Sequence, residues 1–410
     1  MTRNNLFSIS KKMHGLNVIL GFVVICILQS FAFAESNSPF YNSHIGWTYN
    51  YIIVLILLYI YVFNNKYVKI SNVAILLSLC FSIEWVLEYF HSYGNMSVFS
   101  MLYQLVLISF CIFNEQIQAY VYKSFYWIMV LMSIAGIIAF TLYLSNIGPF
   151  SMEDFYDPSV VGVHYYANYI LSYLFVPSIG FVRICGLFNE PGLFGTLGAM
   201  ILIVERMKIT KCNSLIFIAC LLSFSMAFYV LIFFYLLFTI VVKRNIKLLV
   251  YVFILIGILI YCIFNYLDAD NFDFFLNRFV YDDGHFAGDL RASNELDMYW
   301  EKVSKSVEYS IFGLGEYLPP TGSSSYKILI IRHGYFGVSL ILLPLLYSML
   351  LLSKKDRDIA ILCVLFIMSI YQRPQIFNIV YFVILIGGIR HIKQNKANKK
   401  NNLYENKQIS

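Results

Sequence analysis

Apolar runs of membrane-crossing length recur along this chain, interrupted by one long polar stretch from about residue 267 to residue 322. About 20 apolar residues in a helix cross a hydrocarbon core of about 30 Å. Inside lipid every backbone N–H and C=O must find a partner within the protein, which leaves helices and closed barrels as spanning structures. The runs are continuous rather than alternating, so they read as helices. Hydrophobic residues make up 60% of the 410 positions and charged residues only 13%. That is more apolar surface than a soluble core of this size hides.

Basic residues gather in short clusters between the runs: Arg3, Lys11 and Lys12; Lys66 and Lys69; Arg206, Lys208 and Lys211; Lys243, Arg244 and Lys247; Lys354, Lys355 and Arg357; and Arg390 onward. Such clusters mark cytoplasmic loops. With the N-terminus inside, the spans fall at about 16–34, 48–64, 70–90, 97–114, 126–145, 190–205, 248–266, 335–353, 358–371 and 376–390. The run 214–242 is too long for one span, about 43 Å as a single helix, and has basic clusters on both sides. It reads as a hairpin turning near Ser223-Phe224-Ser225. The expected fold is an all-α polytopic integral membrane protein with about twelve transmembrane helices and both termini cytoplasmic. The basic start and Ala32-Phe33-Ala34 resemble a signal peptide, but the run 16–34 is also long enough to stay as an anchor, which is the preferred reading.

The net charge of +6 belongs to these topology signals, so it implies no nucleic-acid partner, and the basic tail is suited to membrane lipid. Six of the eight cysteines lie in or beside the apolar runs, and the long polar stretch has none, which argues against a disulfide framework. No CxxC pair, P-loop or dinucleotide fingerprint occurs, so no metal or other cofactor is expected.

Two stretches fall outside. Residues 146–189 carry Glu153, Asp154, Asp157 and His164, then an apolar piece from Tyr165 to Val182 that reads as either re-entrant or interfacial. Residues 267–334 form an acidic loop containing short helices. From Ser293 to Ser310 the spacing predicts one amphipathic helix, with Leu296, Trp300, Val303 and Val307 on one face.

The strongest local signal is Arg183-Ile-Cys-Gly-Leu-Phe188-Asn-Glu190-Pro191-Gly192, which runs into a span. Pro191 suits the first helical turn and Asn189 suits the cap. Arg183 either forks onto phosphate oxygens near the positive end of that helix or pairs with Glu190 to fix the loop.

This segment, Arg-x-x-Gly-x-Phe-x-Glu-Pro at the start of a span, resembles the corresponding segment of bacterial O-antigen polymerases (the Wzy type) and, more loosely, of O-antigen ligases. Ser310-Ile-Phe-Gly313-Leu-Gly315 is similar to that family's FGxG segment, and Ser324-Ser-Tyr326 through His333-Gly334-Tyr-Phe-Gly337 to the piece leading into its next span. The resemblance covers topology over most of the chain and sequence over these short stretches. Ligases often have an Asn soon after the loop histidine; here Gly334 follows His333, which favours polymerase.

The resemblance implies a metal-independent membrane glycosyltransferase. Such an enzyme polymerises undecaprenyl-diphosphate-linked oligosaccharide repeat units of O-antigen or capsule at the outer face of the bacterial inner membrane. It also implies a chain-length regulator and a flippase of the same pathway as partners. The departing diphosphate needs cations, for which Arg183, Arg278, Arg291 and Arg332 are the candidates; Glu190 and Tyr326 are further substrate-binding candidates. His333 is the first choice for a base, with His164, His285 and the loop carboxylates as alternatives.

Three readings stand: polymerase, ligase transferring glycan to lipid A-core, and lipid-linked oligosaccharide flippase or other transporter. Glu84 and Glu88, four residues apart in an apolar run, speak for a proton-coupled transporter. Flippases usually have short loops and two related halves, whereas this chain has a long outer loop and no visible repeat. The expected organisation is 1–145 N-terminal helices, 146–189 first outer loop, 190–266 central helices, 267–334 long outer loop, 335–390 C-terminal helices and 391–410 cytoplasmic basic tail.

Overall fold

The structure is a computed structural model. It describes residues 110–155, 164–177, 182–188, 190–243, 281–282, 285–286, 294–314, 326–353, 356–372 and 379–397, with scattered positions before residue 110. Most of the spans expected at 16–34, 48–64, 70–90 and 97–114, and all of 248–266, lie outside the described residues, as do Glu84 and Glu88.

The described part is mostly helical, and one helix within it is long and apolar enough to cross a membrane. This helix, α1, runs over Glu115–Leu144. It starts 11 residues before the expected position of 126, because Asn114 caps it by accepting from the Ile117 N–H at 2.9 Å. Glu115 adds a favourable charge to the first turn.

A four-stranded antiparallel meander follows: β1 Ser151–Phe155, β2 His164–Asn168, β3 Tyr173–Pro177 and β4 Arg183–Gly186, in the order β1-β2-β3-β4. This corrects the all-helical expectation. Over residues 165–177 the apolar piece, read from the sequence as re-entrant or interfacial, is β2, a turn and β3. Its Tyr, Leu, Phe and Val residues suit a pleated, half-buried surface, and Asn168 closes the turn by accepting from the Ile170 N–H at 2.7 Å. Successive residues face opposite ways. Ala167, Leu174 and Ile184 join the main core, while Tyr166, Phe175 and Cys185 form a separate cluster on the other face. The core face lies on α1, where a Cβ on Gly136 would stand 2.6 Å from Ile184 Cγ2.

Helix α2 spans Pro191–Val204 and is buried nearly all round, as befits a central helix. Pro191 takes the first turn as expected, but the cap is Glu190 rather than Asn189, and it makes no side-chain capping bond. The hairpin is present as α3 Lys211–Leu221 and α4 Met226–Lys243, turning over residues 222–225. Its tip docks against β4 and the start of α2: Ile184 N–H donates to the Leu222 carbonyl at 3.2 Å, and Ser225 Oγ to the Gly192 carbonyl at 3.3 Å.

Tyr281–Asp282 pairs antiparallel with His285–Phe286, as β5 and β6. The single helix expected over 293–310 is two, α5 Asn294–Lys305 and α6 Val307–Phe312. Ser306 ends the first and caps the second, accepting from the Tyr309 N–H at 3.4 Å. Leu296 and Val303 are buried as expected, but the break turns Val307 outward to 77% exposure. Helix α7 spans Tyr326–Ser353 and kinks at Gly334. Residues 326–333, expected as loop, are therefore helical. Helix α8 spans Arg357–Gln372. The last helix starts with α9, Ile379–Phe382, passes through a π-helical turn at Val383–Gly387, and continues through residue 397.

Opposite the hairpin tip, polar side-chain contacts tie four elements together. Arg206 pairs with Asp358 at 3.1 Å and Arg390 with Glu115 at 2.7 Å, and His391 Nε2 lies 3.2 Å from Glu205 Oε1. Lys396 holds both Asp356 and Asp358. This end carries the basic residues that the sequence assigns to the cytoplasm.

Candidate functional site

The candidate residues fall into two groups on separate elements. In the first, Arg183 opens β4, and Glu190 caps α2 seven residues later. Strand alternation puts Arg183 on the face with Phe175 and Cys185, and its guanidinium carbon sits 4.6 Å from the Phe175 ring centre. A cation–π contact engages the charge through the face of the guanidinium. Burial pushes the Cys185 thiol well up; the Arg183 charge pulls it down and the Glu190 charge pushes it up. Both charges are therefore felt at one buried sulfur, which itself stays a protonated, inert thiol. The tight turn from β4 into α2 uses Gly186 at φ 64°.

The second group joins the two later segments of the resemblance. Gly313 (φ 81°, ψ −175°) ends α6, and Gly334 (φ 63°, ψ 173°) kinks α7. Both angles belong to a region that essentially only glycine occupies. The two backbones cross with nothing between them. A Cβ on Gly334 would lie 2.5 Å from the Gly313 nitrogen, and one on Gly313 would lie 2.6 Å from the Gly334 nitrogen. Leu314 N–H donates to the Ile331 carbonyl at 2.7 Å. Phe312 meets Phe336 edge-on at 6.0 Å. Below the crossing, Leu296, Val303 and Ile331 form a small buried cluster that seats α5 on α7.

The crossing fixes Arg332 and His333. His333 is 7% exposed, so it is a packed helical residue rather than a loop histidine. Arg332 has its Nε–H buried with no hydrogen-bond partner. Leaving such a donor unsatisfied costs on the order of 1–3 kcal/mol, which makes it a place where an acceptor from outside the chain would be stabilising.

Tyr326 begins α7. Its ring stacks on Tyr371, the penultimate residue of α8, with centres 4.9 Å apart and planes 14° from parallel. Trp300 stands edge-on to Tyr326 at 6.3 Å. Tyr371 was not singled out by the sequence, where it reads as the end of an apolar span. Arg278 and Arg291 lie outside the described residues, and the side chains of His164, on β2, and His285, on β6, also lie outside them. Among the described residues, no three His, Cys, Asp or Glu side chains gather to hold a metal.

No family model, curated protein or solved structure matches the chain.

Proposed function

We propose that this protein is a multi-pass glycosyltransferase of the O-antigen polymerase type, acting at the outer face of the bacterial inner membrane with both termini in the cytoplasm. The observation that carries the reading is the Gly313–Gly334 crossing. Two segments picked out separately by resemblance meet there, and they leave a buried Arg332 N–H without an acceptor. The amphipathic helix on this crossing and the ion-paired end elsewhere agree with an outer reaction face and a basic cytoplasmic one.

In this reading the substrate is an oligosaccharide on undecaprenyl diphosphate. A hydroxyl oxygen of the acceptor sugar attacks the anomeric carbon of the donor. The bond from that carbon to the diphosphate oxygen breaks, and its electron pair leaves on the diphosphate. His333 takes the hydroxyl proton. Arg332 and Arg183 neutralise the departing diphosphate, Arg332 through its unsatisfied Nε–H. Preorganised donors at developing charge are worth about 100- to 1000-fold in rate each.

The test is the surface-polysaccharide ladder on a gel, from cells that lack the gene and carry variants at equal membrane levels. Arg332→Ala and Arg332→Lys should both collapse long chains to single repeats on core, since lysine cannot reproduce the guanidinium fork. A wild-type ladder in Arg332→Ala and Arg183→Ala cells would overturn the reading. Long chains that accumulate on the lipid carrier and never reach core would identify a ligase instead.

A further inference from the structure

Three aromatic side chains from three helices meet where α5, the start of α7 and the end of α8 come together. Tyr326 and Tyr371 stack face to face, and Trp300 closes one side edge-on. This is not core. Tyr371 is 67% exposed, and Tyr326 and Trp300 are half-buried. Charged groups sit at the rim. Lys327 Nζ lies 5.8 Å from the Trp300 ring centre and pairs with Asp297 Oδ1 at 3.1 Å. An aromatic belt at a membrane surface explains exposed tyrosine. It does not require a parallel ring pair across two helices with an ion pair at its edge.

A flat apolar ring with hydrogen-bonding groups around it is the complement of a pyranose. The sugar presents C–H bonds on its faces and hydroxyls at its rim, so the faces stack on the rings and the hydroxyls reach a carboxylate or an ammonium. Register adds a second argument. Tyr326 and His333 are seven residues apart on a continuous helical stretch, which is two turns. They therefore share a face, separated by about 10 Å along the axis. That distance is of the order of a disaccharide.

We propose that Trp300, Tyr326 and Tyr371 form a stacking platform for a pyranose ring of the acceptor glycan, with Asp297 and Lys327 binding its hydroxyls. The platform holds one sugar of the acceptor so that a neighbouring sugar reaches His333. The acceptor role rests on the polymerase reading; sugar binding at the platform does not.

The probe is the oligosaccharide released by mild acid from the surface polysaccharide of the native strain. Saturation-transfer NMR on the purified full-length protein in detergent measures its binding, and the cellular ladder measures chain length. Wild type should bind. Tyr371→Ala should bind roughly tenfold more weakly, within the size of a stacking contact as known for nucleic-acid bases, and its ladder should shift to shorter chains. Tyr371→Phe keeps the ring and should restore both. Absent binding to wild type, or unchanged binding to a folded Tyr371→Ala protein, overturns the platform whatever the ladder shows. Unchanged binding with a lowered thermal midpoint in bilayer discs would mark the tyrosine as a lipid-interface anchor. Binding lost in Tyr371→Ala beside a wild-type ladder in Arg332→Ala and Arg183→Ala cells would keep the platform and remove its acceptor role together with the polymerase reading.

Discussion

Replacing Gly334 with alanine tests the crossing that assembles the second group. At φ 63° and ψ 173° an L-residue is strained, by about 1–3 kcal/mol. The new methyl would also lie 2.5 Å from the Gly313 nitrogen and overlap the Ile311 carbonyl. Both are backbone, so no rotamer change relieves the clash, and forcing the two chains apart costs a further 1–3 kcal/mol or so. The sum, about 2–6 kcal/mol, acts on the docking of α6 against α7. At 1.4 kcal/mol per factor of ten, the lower bound raises the undocked population about 30-fold. Lys305 sits at the α5–α6 break, so tryptic cleavage there should follow that population wherever reclosing outruns cleavage. Gly313→Ala should do the same. The double variant should cost less than the sum, because both methyls open one contact. Gly148→Ala is the control; its methyl meets nothing within 4 Å, and its cleavage rate should stay at wild type. Wild-type cleavage at Lys305 and an unchanged thermal midpoint in both single glycine variants would refute the reasoning.

Asp358 bridges Arg206 and Lys396, so Asp358→Ala should lower stability by about 1–3 kcal/mol, read as a lower thermal midpoint in detergent, with less loss in Asp358→Glu. Ser306→Ala removes the cap of α6 and should cost about 1 kcal/mol, seen as faster cleavage at Lys305 with the ladder preserved.

Several elements could be read from local signals. Pro191 marks the start of α2, the two serines near Phe224 mark the hairpin turn, and Gly334 marks the boundary of the long apolar part of α7. What escaped depends on partners far along the chain or on ambiguous patterns. Glu115 and Lys123 look like loop residues, but Glu115 is paired by Arg390 from the last helix. The Tyr165–Val182 piece is apolar and short, and such runs do not separate strand from helix by period alone. Ser306 is a small polar residue whose backbone bond breaks an otherwise good helical pattern. Among site residues, Arg183 and Glu190 were legible as a motif. The unsatisfied donor of Arg332 and the pairing of Tyr371 with Tyr326 exist only after folding.

On the proposed topology, helix lengths decide where the first group sits. Helix α2 has 14 residues and α3 has 11, about 21 Å and 16 Å at 1.5 Å per residue. Neither reaches across about 30 Å of hydrocarbon. With the end of α2 held at the cytoplasmic surface by the Arg206 and Glu205 contacts and α3 starting there at Lys211, their other ends stop short of the outer surface. The meander β1–β4 then fills the remaining depth. Non-helical backbone is tolerated there only when protein encloses it. That condition accounts for α1 lying along the sheet at Gly136 and for the hairpin tip accepting the Ile184 N–H at the outer strand β4. Arg183 is carried by that same strand, so its charge sits below the outer surface, where a diphosphate meets a lower effective dielectric and less salt screening than in a surface loop. A recessed arginine holds a diphosphate whose lipid tail is already at that depth, and this follows from two short helices rather than from any feature of Arg183 itself.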